Sequence, residues 1–345
     1  MELVTFRFPT TMRFGPGARR ALQEFADDAN LQRPLLVTDS GLTGTEAYRL
    51  VVEQLDRIWP RGWQPFTDVH PNPVEDDAAA GAEAFRRAGC DAVIALGGGS
   101  AIDGAKAILL KVAQPDTRLT EIALDRVPPL IAPLCAIPTT AGTGSEVGRS
   151  TVVTIPALGR KAVLGAPALL PQLALLDPEL TVGLPPGLTA ATGMDAMTHA
   201  IEAFVCPVFH PLCDGIALEA IYRIRRYLPR AVKRGDDLDA RGEMLVAAAM
   251  GAIAFQKDLG AAHSLAHPLG SEFDAHHGLA NAVVLPSVIR FNGEEDSSQY
   301  RRVAEALGLS ADVDPASEVA EFIERFNREL GITQRIRDLG PRESD

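Results

Sequence analysis

The apolar pattern of this 345-residue chain constrains its fold most, because the pattern changes once, near residue 181. Before that point, short apolar runs alternate with longer amphipathic ones. Such alternation is typical of βαβ units around a parallel sheet. After that point, strand-like runs nearly vanish and helical periodicity dominates. The sequence therefore predicts an α/β domain with a parallel sheet over residues 1–183, followed by an all-α domain over residues 184–345.

The boundary is placed at the segment TVGLPPG (181–187), where two consecutive prolines lie between two glycines. Strands are predicted within 33–42, 91–97, 129–138 and 169–180. Helices are predicted at Gly187–Phe204, Leu212–Val232, Asp239–Phe255, Gly260–Leu269, Tyr300–Leu307 and Pro315–Leu330. The apolar run 281–292 fits either element by its period, and helix is favoured because the surrounding segments are helical.

Composition excludes several classes of protein. The formal charge of −12 argues against nucleic acid and against an anionic membrane surface as partners. No apolar run reaches the ~20 residues that span a bilayer, and the N-terminus does not resemble a secretory signal. The four dispersed cysteines indicate reduced thiols in a cytoplasmic protein, and a disulfide between Cys206 and Cys213 is the less favoured alternative.

Four of the seven histidines lie in one stretch, GAAHSLAHPLGSEFDAHHG. His263 and His267 are four residues apart and would share one face of a helix, while His277 follows a short loop. Asp195 and His199 have the same spacing in GMDAMTHAIEAF. Imidazole together with carboxylate suits iron or zinc better than calcium or magnesium. The pattern favours one divalent metal site over scattered histidines with ordinary hydrogen bonds.

Two loops of small residues follow predicted strands. GGGS (97–100) lies at a strand-to-helix turn, and Ser100 is predicted as the helix N-cap. Such a turn either binds a pyrophosphate or is a tight turn without a ligand. PTTAGTGSE (138–146) would reach the same edge of a parallel sheet, where ligands bind. Asp39, at the end of the first clear strand, either accepts hydrogen bonds from an adenosine ribose, which favours NAD over NADP, or caps the next helix.

Together these motifs carry a resemblance. ALGGGSAIDGAKA, PTTAGTGSEV, LLDPELT, GMDAMTHAIEAF and GAAHSLAHPLG…HHGLANAVVLP resemble, in order, the signatures of the iron-containing (group III) alcohol dehydrogenases. The resemblance runs from about residue 5 to about residue 332. It implies a dinucleotide-binding α/β domain, an all-helical metal domain, and two cofactors: NAD, and Fe²⁺ or, after purification, Zn²⁺. It also implies hydride transfer between nicotinamide and a small alcohol or its aldehyde or ketone, with the metal as Lewis acid.

The resemblance also implies a role for individual residues. The implied metal ligands are Asp195, His199, His263 and His277. The implied cofactor contacts are Asp39, Asn72, Gly98, Gly99, Ser100, Thr139, Thr140 and Lys161. His267 matches a position beside the nicotinamide that is proposed in the family to help move protons, and packing on the ligand helix is its alternative role.

The chain departs from the family pattern in three places. Gly148 stands where a threonine or similar residue is common, and His276 replaces a usual proline, although the 14-residue spacing from His263 favours His277 as the ligand. Family members also continue for several helices beyond the position of Gly331. If the natural protein ends at Asp345, apolar helix faces near 283–289 and 319–326 need another cover, and a homodimer is expected.

Other functions are compatible with a nucleotide and a metal. The first is a maleylacetate-reductase-like enzyme, although that branch usually lacks the aspartate ligand that Asp195 would supply. The second is a dehydroquinate-synthase-like lyase, which uses NAD and a metal held by a glutamate and two histidines. The third is a binding protein without catalysis. Formation of NADH from a simple alcohol without phosphate release would identify a dehydrogenase.

Overall fold

The computed structural model of the protein describes residues 10–60, 62–128, 130–310 and 313–342. These residues fold into two compact units. One unit holds residues 10–140 and 145–183 and contains the β-strands, and the other holds residues 141–144 and 184–342 and is helical. The segment 141–144 thus belongs to the helical unit although it lies inside the first half of the sequence.

The first unit is built on a six-stranded parallel sheet with the strand order β1-β8-β5-β4-β2-β3. Its strands are β1 (Thr11–Phe14), β2 (Pro34–Val37), β3 (Gln64–Phe66), β4 (Ala92–Gly97), β5 (Leu134–Pro138) and β8 (Leu173–Leu176). The helices between them are α1 (Leu22–Asp28), α2 (Glu46–Ile58), α3 (Glu75–Ala88) and α4 (Gly99–Ala113). An antiparallel hairpin of β6 (Ser150–Ile155) and β7 (Arg160–Gly165) completes the unit.

Both faces of the sheet are buried at β2, β4, β5 and β8, which explains the continuous apolar sequences of these strands. Successive residues alternate between two hydrophobic clusters, as the pleat requires. Val93 and Ala95 of β4 face one cluster, whereas Ile94 and Leu96 face the other. The parallel-sheet prediction is confirmed, but the sequence pattern did not reveal β1, β3 or the β6–β7 hairpin.

The second unit consists of helices around a large hydrophobic core, with a second, smaller cluster formed by residues of α5, α6 and α7. They are α5 (Pro186–Val205), α6 (Pro211–Lys233), α7 (Leu238–Ala254), α8 (Ala261–Glu272), α9 (His277–Asp296), α10 (Tyr300–Ala306) and α11 (Pro315–Glu329). Each predicted helix is observed, and the ambiguous run 281–292 lies within α9. The fold prediction, a parallel α/β region followed by an all-helical region, is therefore confirmed.

The expectation that two helix faces lack a cover is wrong. Val284 and Ile289 of α9 and Val319 and Phe326 of α11 are buried in the same core cluster. Asn327 of α11 donates a hydrogen bond of 2.7 Å to the carbonyl of Ala282, which ties the two helices together. These two faces cover each other and so need no partner subunit.

No single helix in the described ranges is long and apolar enough to cross a membrane. One bent pair, Leu238–Lys257 with Ala261–Glu272, passes the same test by length and composition, with an angle of 109° between its two parts. Much of both helices is buried in the core of the helical unit, as core helices of this composition usually are.

Candidate metal centre and cofactor site

Helix α5 and helix α8 present the predicted side chains as their spacing requires. Asp195 and His199 lie one turn apart on α5, and both are buried. His263 is buried on α8, and His277 is the first residue of α9. Three of these residues meet: ligand atoms of Asp195, His263 and His277 all lie within 4.8 Å of one another.

The spacing of the three atoms suits a metal ion. The Nε2 atoms of His277 and His263 lie 3.6 and 3.9 Å from Oδ1 of Asp195. Ligand bonds of ~2.1 Å at tetrahedral angles would place neighbouring ligand atoms roughly 3.4 Å apart, so only small adjustments are needed. Two imidazoles and a carboxylate are donors that iron and zinc accept.

An amide lies where a cation would be attracted. The Nδ2 atom of Asn281 lies 2.8 Å from Asp195 Oδ1, 3.1 Å from His263 Nε2 and 3.2 Å from His277 Nε2. Its two N–H bonds must serve three acceptors. Its buried Oδ1 has no hydrogen-bond partner among the described residues. The three acceptors therefore form an electron-rich pocket that a divalent ion fits better than an amide does.

The protonation states at neutral pH also suit metal binding, which requires an ionised carboxylate and neutral imidazoles. Burial alone would raise the pKa of Asp195, but the imidazoles of His199, His277 and His263 lower it to about 2. Burial lowers the pKa of His277 to about 3 and that of His199 to about 4. Ligands that are already deprotonated release no proton when the ion binds.

His199 stands beside the cluster and not within it. Its ring stacks on that of His263 with centroids 4.6 Å apart, and Phe255 packs against it at 5.0 Å. Its buried Nδ1 has no hydrogen-bond partner among the described residues. The ring also has a backbone hydrogen bond with Gly142. No nitrogen of His199 is among the three ligand atoms that lie within 4.8 Å of one another, so the ring must move before it can join them.

The structure separates the two adjacent histidines. His276 is the N-cap of α9, and its Nδ1 accepts the backbone N–H of Leu279 at 3.4 Å. His277 faces Asp195, so it is the residue placed for ligation. His267 lies on α8 one turn after His263, with its ring centroid 5.0 Å from that of His277 and 6.3 Å from that of His263.

Two partners of the cluster were missed by sequence reasoning. Glu202 lies one turn beyond His199 on α5, and its Oε2 lies 2.6 Å from Nδ1 of His263. Burial would raise the pKa of Glu202, but the hydrogen bond from His263 holds it below its ordinary value. The i, i+7 spacing from Asp195 is a signal that could have revealed Glu202. Asn281 follows His277 by four residues on α9, and this i, i+4 spacing is likewise a signal that could have revealed it.

The glycine turn of the first unit follows β4. Gly97 has a φ of +146°, which a side chain would not tolerate, and a Cβ there would lie 2.6 Å from that of Ala101. Helix α4 begins at Gly99 with Gly98 as N-cap, so the prediction of Ser100 as N-cap is wrong. Ser100 lies inside the first turn, where its hydroxyl donates to the carbonyl of Pro71.

The threonine loop lies beside this turn because β4 and β5 are parallel neighbours. Thr139 donates its backbone N–H to the carbonyl of Gly97 at 3.0 Å, and a Cβ on Gly98 would lie 3.4 Å from the Thr140 side chain. Buried Lys106 on α4 donates to the carbonyls of Ser145 and Gly148 at 2.7 and 2.9 Å. This lysine, which sequence reasoning missed, stabilises the far end of the loop.

The other predicted cofactor residues border the same edge of the sheet. Asp39 follows β2; its Oδ1 accepts the N–H of Leu42 at 3.1 Å, and its Oδ2 lies 3.6 Å from where a Cβ of Gly97 would be. Lys161 on β7 donates to Asn72 Oδ1 at 2.8 Å. Asp39 therefore caps a turn with one oxygen and directs the other toward the glycine turn.

Comparison with known proteins agrees with both halves of this arrangement. The description "Iron-containing alcohol dehydrogenase" matches residues 9–178, and "Fe-containing alcohol dehydrogenase family, C-terminal" matches residues 189–345. The chain is 40% identical to a 4-hydroxybutyrate dehydrogenase of Cupriavidus necator, over 93% of this chain and 88% of the relative. It is 36% identical to a 1,3-propanediol dehydrogenase of Citrobacter freundii, over 100% of this chain and 90% of the relative.

Solved structures give the same result. A 1,3-propanediol oxidoreductase superposes with a TM-score of 0.94 at 35% identity, covering 100% of this chain and 91% of the other. A sulfoacetaldehyde reductase from Bifidobacterium kashiwanohense, solved in complex with NAD⁺, superposes with a TM-score of 0.90 at 30% identity, covering 100% and 90%. The predicted cofactors, NAD and Fe²⁺, agree with these findings. The chain belongs to the iron-containing alcohol dehydrogenase family and is an oxidoreductase that interconverts an alcohol and its carbonyl product.

Proposed function

We propose that Asp195, His199, His263 and His277 hold one Fe²⁺ ion and that the enzyme oxidises a small alcohol with NAD. The observation that carries this proposal is the convergence of three ligand atoms, from Asp195, His263 and His277, on the amide of Asn281. When bound, the ion supplies Lewis-acid chemistry to the alcohol oxygen and NAD accepts the hydride. His199 enters the set because its buried ring nitrogen lacks a partner among the described residues and its ring already stacks on His263.

The cofactor is assigned to the edge of the sheet in the first unit. Gly98, Gly99 and Ser100 start helix α4, whose free N–H groups and dipole favour a pyrophosphate. Thr139 and Thr140 line the neighbouring loop, and Asp39, Asn72 and Lys161 lie at the ends of adjacent elements. These assignments account for the two small-residue loops that the sequence places after parallel strands.

His267 is proposed to carry the proton that alcohol oxidation releases. It lies one helical turn from His263 and beside His277, and it is only partly buried, so that solvent can receive the proton. Histidine is the side chain type that most readily takes up and releases protons near neutral pH. A general acid–base role of this kind contributes ~10²–10⁴-fold to the rate.

The substrate class is proposed from the relatives. Their names include a 4-hydroxybutyrate dehydrogenase, 1,3-propanediol dehydrogenases, a lactaldehyde reductase and a methanol dehydrogenase, all acting on short molecules. We propose a small alcohol or diol, with the cytoplasm as the compartment because all four cysteines are free thiols. The maleylacetate-reductase and lyase alternatives receive no support from these relatives.

A homodimer is also proposed. Among the described residues, strand β1 lies at one edge of the six-stranded sheet, and its four residues are exposed, including Met12 at 40% and Phe14 at 56%. An edge strand with exposed apolar side chains can pair with a second copy. Light scattering on the purified protein is expected to give twice the chain mass. A monomer at all concentrations would contradict this proposal.

The main experiment is reconstitution. Metal-free protein is loaded anaerobically with Fe²⁺ and assayed for NADH formation with short alcohols, including 1,3-propanediol and 4-hydroxybutyrate. We expect turnover that depends on added metal and releases no phosphate. Tight NAD and metal binding without turnover on any alcohol or aldehyde would contradict the proposal and favour a binding protein.

A further inference from the structure

Glu202 is a buried carboxylate that the assigned chemistry does not use. It lies seven residues after Asp195 and three after His199, so all three share one face of α5. Its side chain is 3% exposed. Oε1 accepts the backbone N–H of Ala262 at 2.6 Å, and Oε2 lies 2.6 Å from Nδ1 of His263. Each oxygen therefore has its own donor on helix α8.

The carboxylate also occupies the start of that helix. Gly260, the N-cap of α8, provides no side-chain hydrogen bond, so Glu202 reaches across from α5 and accepts the first free N–H groups. A negative charge at this end is favoured by the helix dipole. A Cβ on Gly260 would lie 2.8 Å from Oε1 of Glu202, so only glycine allows the approach.

We propose that Glu202 is a positioning residue that sets the tautomer and orientation of His263 for metal binding. An ionised carboxylate only accepts hydrogen bonds, so Nδ1 of His263 carries the proton and Nε2 keeps its lone pair. That Nε2 is the atom that faces Asp195 and His277. The same carboxylate fixes the first turn of α8, so the ring and its helix are held as one unit. This inference rests on the metal centre proposed above.

The variant Glu202→Gln separates positioning from packing. Glutamine has nearly the same shape but only one acceptor oxygen, so it cannot serve both Ala262 and His263. If its oxygen keeps the backbone N–H, its amide group faces Nδ1 and favours the tautomer with the proton on Nε2. That tautomer has no lone pair directed toward the metal site.

The measurement is a titration of metal-free protein with Co²⁺, whose visible absorption reports the ligand set. We expect Glu202→Gln to bind Co²⁺ roughly 10–100-fold more weakly, as for other residues that orient a metal ligand. Its Co²⁺ spectrum should differ from that of the wild type. The matched control is Asp237→Asn, which alters the carboxylate that caps α7 through Ala240 and contacts no histidine. This control should leave Co²⁺ affinity and spectrum unchanged.

The possible outcomes distinguish a failure of the proposed metal centre from a failure of the proposed role of Glu202. Wild-type protein that binds no Co²⁺ overturns the metal centre and, with it, the role of Glu202. Wild-type binding with an unchanged affinity and spectrum in Glu202→Gln overturns only the role of Glu202. Equal losses in Glu202→Gln and Asp237→Asn would show a general effect of helix capping and would also overturn it.

A second measurement needs no variant at Glu202. In metal-free wild-type protein with ¹⁵N-labelled histidine, the ring nitrogens of His263 report its tautomer, and the signals are assigned by their loss in His263→Gln. We expect the proton on Nδ1. A proton on Nε2 would overturn the proposal even if the Glu202 variant fails to fold.

Discussion

The two units bind their proposed ligands with different parts of the chain. In the helical unit, the metal centre consists of side chains at helical spacing, and Asp195, His199 and His263 are all buried. In the α/β unit, the cofactor site consists mainly of backbone turns at strand ends, with Gly98 and Thr139 as examples. A site made of side chains should fail when one residue changes. A site made mainly of backbone should still bind its cofactor after a side-chain substitution, although its preference between NAD and NADP can change.

The largest expected effect is on the metal centre. His263→Ala and His277→Ala should each lose the metal and turnover, because the three remaining proposed ligands would hold the ion too weakly against its hydration. NAD binding should persist, since the proposed cofactor residues lie in the other unit. Metal content, kcat and NAD affinity are the measurements.

His276→Ala is the matched control for this prediction. It removes a neighbouring histidine that caps α9 and leaves the three ligand atoms in place. It should keep the metal, with at most the ~1 kcal/mol loss of stability of a weakened cap. Metal loss in His276→Ala together with retention in His277→Ala would reverse the assignment of the two residues.

The next effect concerns the choice of cofactor. A carboxylate at Asp39 would oppose the 2′-phosphate of NADP, and like charges at close range cost several kcal/mol, or roughly a hundredfold or more in preference. We expect a clear preference for NAD that Asp39→Gly relaxes, mainly through better NADP binding. Asp39→Asn keeps an acceptor for the Leu42 N–H and removes only the charge. If both variants and the wild type use the two cofactors equally, Asp39 is only a turn cap.

Substitution of His267 tests whether this histidine of the segment 260–278 is a metal ligand or has another role. His267→Ala should keep the metal and lower kcat by ~10²-fold or more, the usual size of a general acid–base contribution. Leu265→Ala, on an exposed position of the same helix, serves as the control for effects on α8 itself. Unchanged kcat in His267→Ala would make His267 a packing residue, and lost metal would make it a ligand.

Periodicity predicted the helices well because helices α5 to α11 bury long apolar faces. It also predicted the pairs on α5 and α8, since i, i+4 spacing fixes a common face before any packing is known. The β6–β7 hairpin was missed because β6 is short: its residues alternate between partly buried and buried over only six positions, Ser150–Ile155. Ser100 was misassigned as N-cap because helix α4 starts two residues earlier than the serine suggests.

What the sequence could not show is which distant groups share a buried space. Lys106 is completely buried, yet on sequence grounds it is an ordinary lysine of an amphipathic helix. Its hydrogen bonds go to Ser145 and Gly148, about forty positions away along the chain. Asn281 likewise contacts Asp195 and His263 only because helices α5 and α8 pack against α9. Such partners depend on tertiary contacts, which have no local signal.

The smallest expected effect is on the stability of metal-free protein. Asn281 donates to Asp195 and lies beside two imidazole nitrogens, so Asn281→Ala leaves a buried carboxylate without that donor. A buried acceptor without its partner costs about 1–3 kcal/mol, and more when it is charged. A bound ion would satisfy the same three acceptors. Asn281→Ala should therefore destabilise metal-free protein more than metal-loaded protein, and the gain in Tm on adding metal should grow.

Asn327→Ala is the matched control, because it removes a buried amide of the same unit that donates to the carbonyl of Ala282 and touches no predicted ligand. Its cost should be the same with and without metal. Thermal unfolding of both variants, each with and without Co²⁺, measures the difference directly. If the two variants respond to metal identically, the amide of Asn281 does not occupy the place of the ion. The proposed metal centre would then tolerate a substitution at Asn281, as the proposed cofactor site is expected to tolerate substitutions. The contrast between the two units would not hold for Asn281.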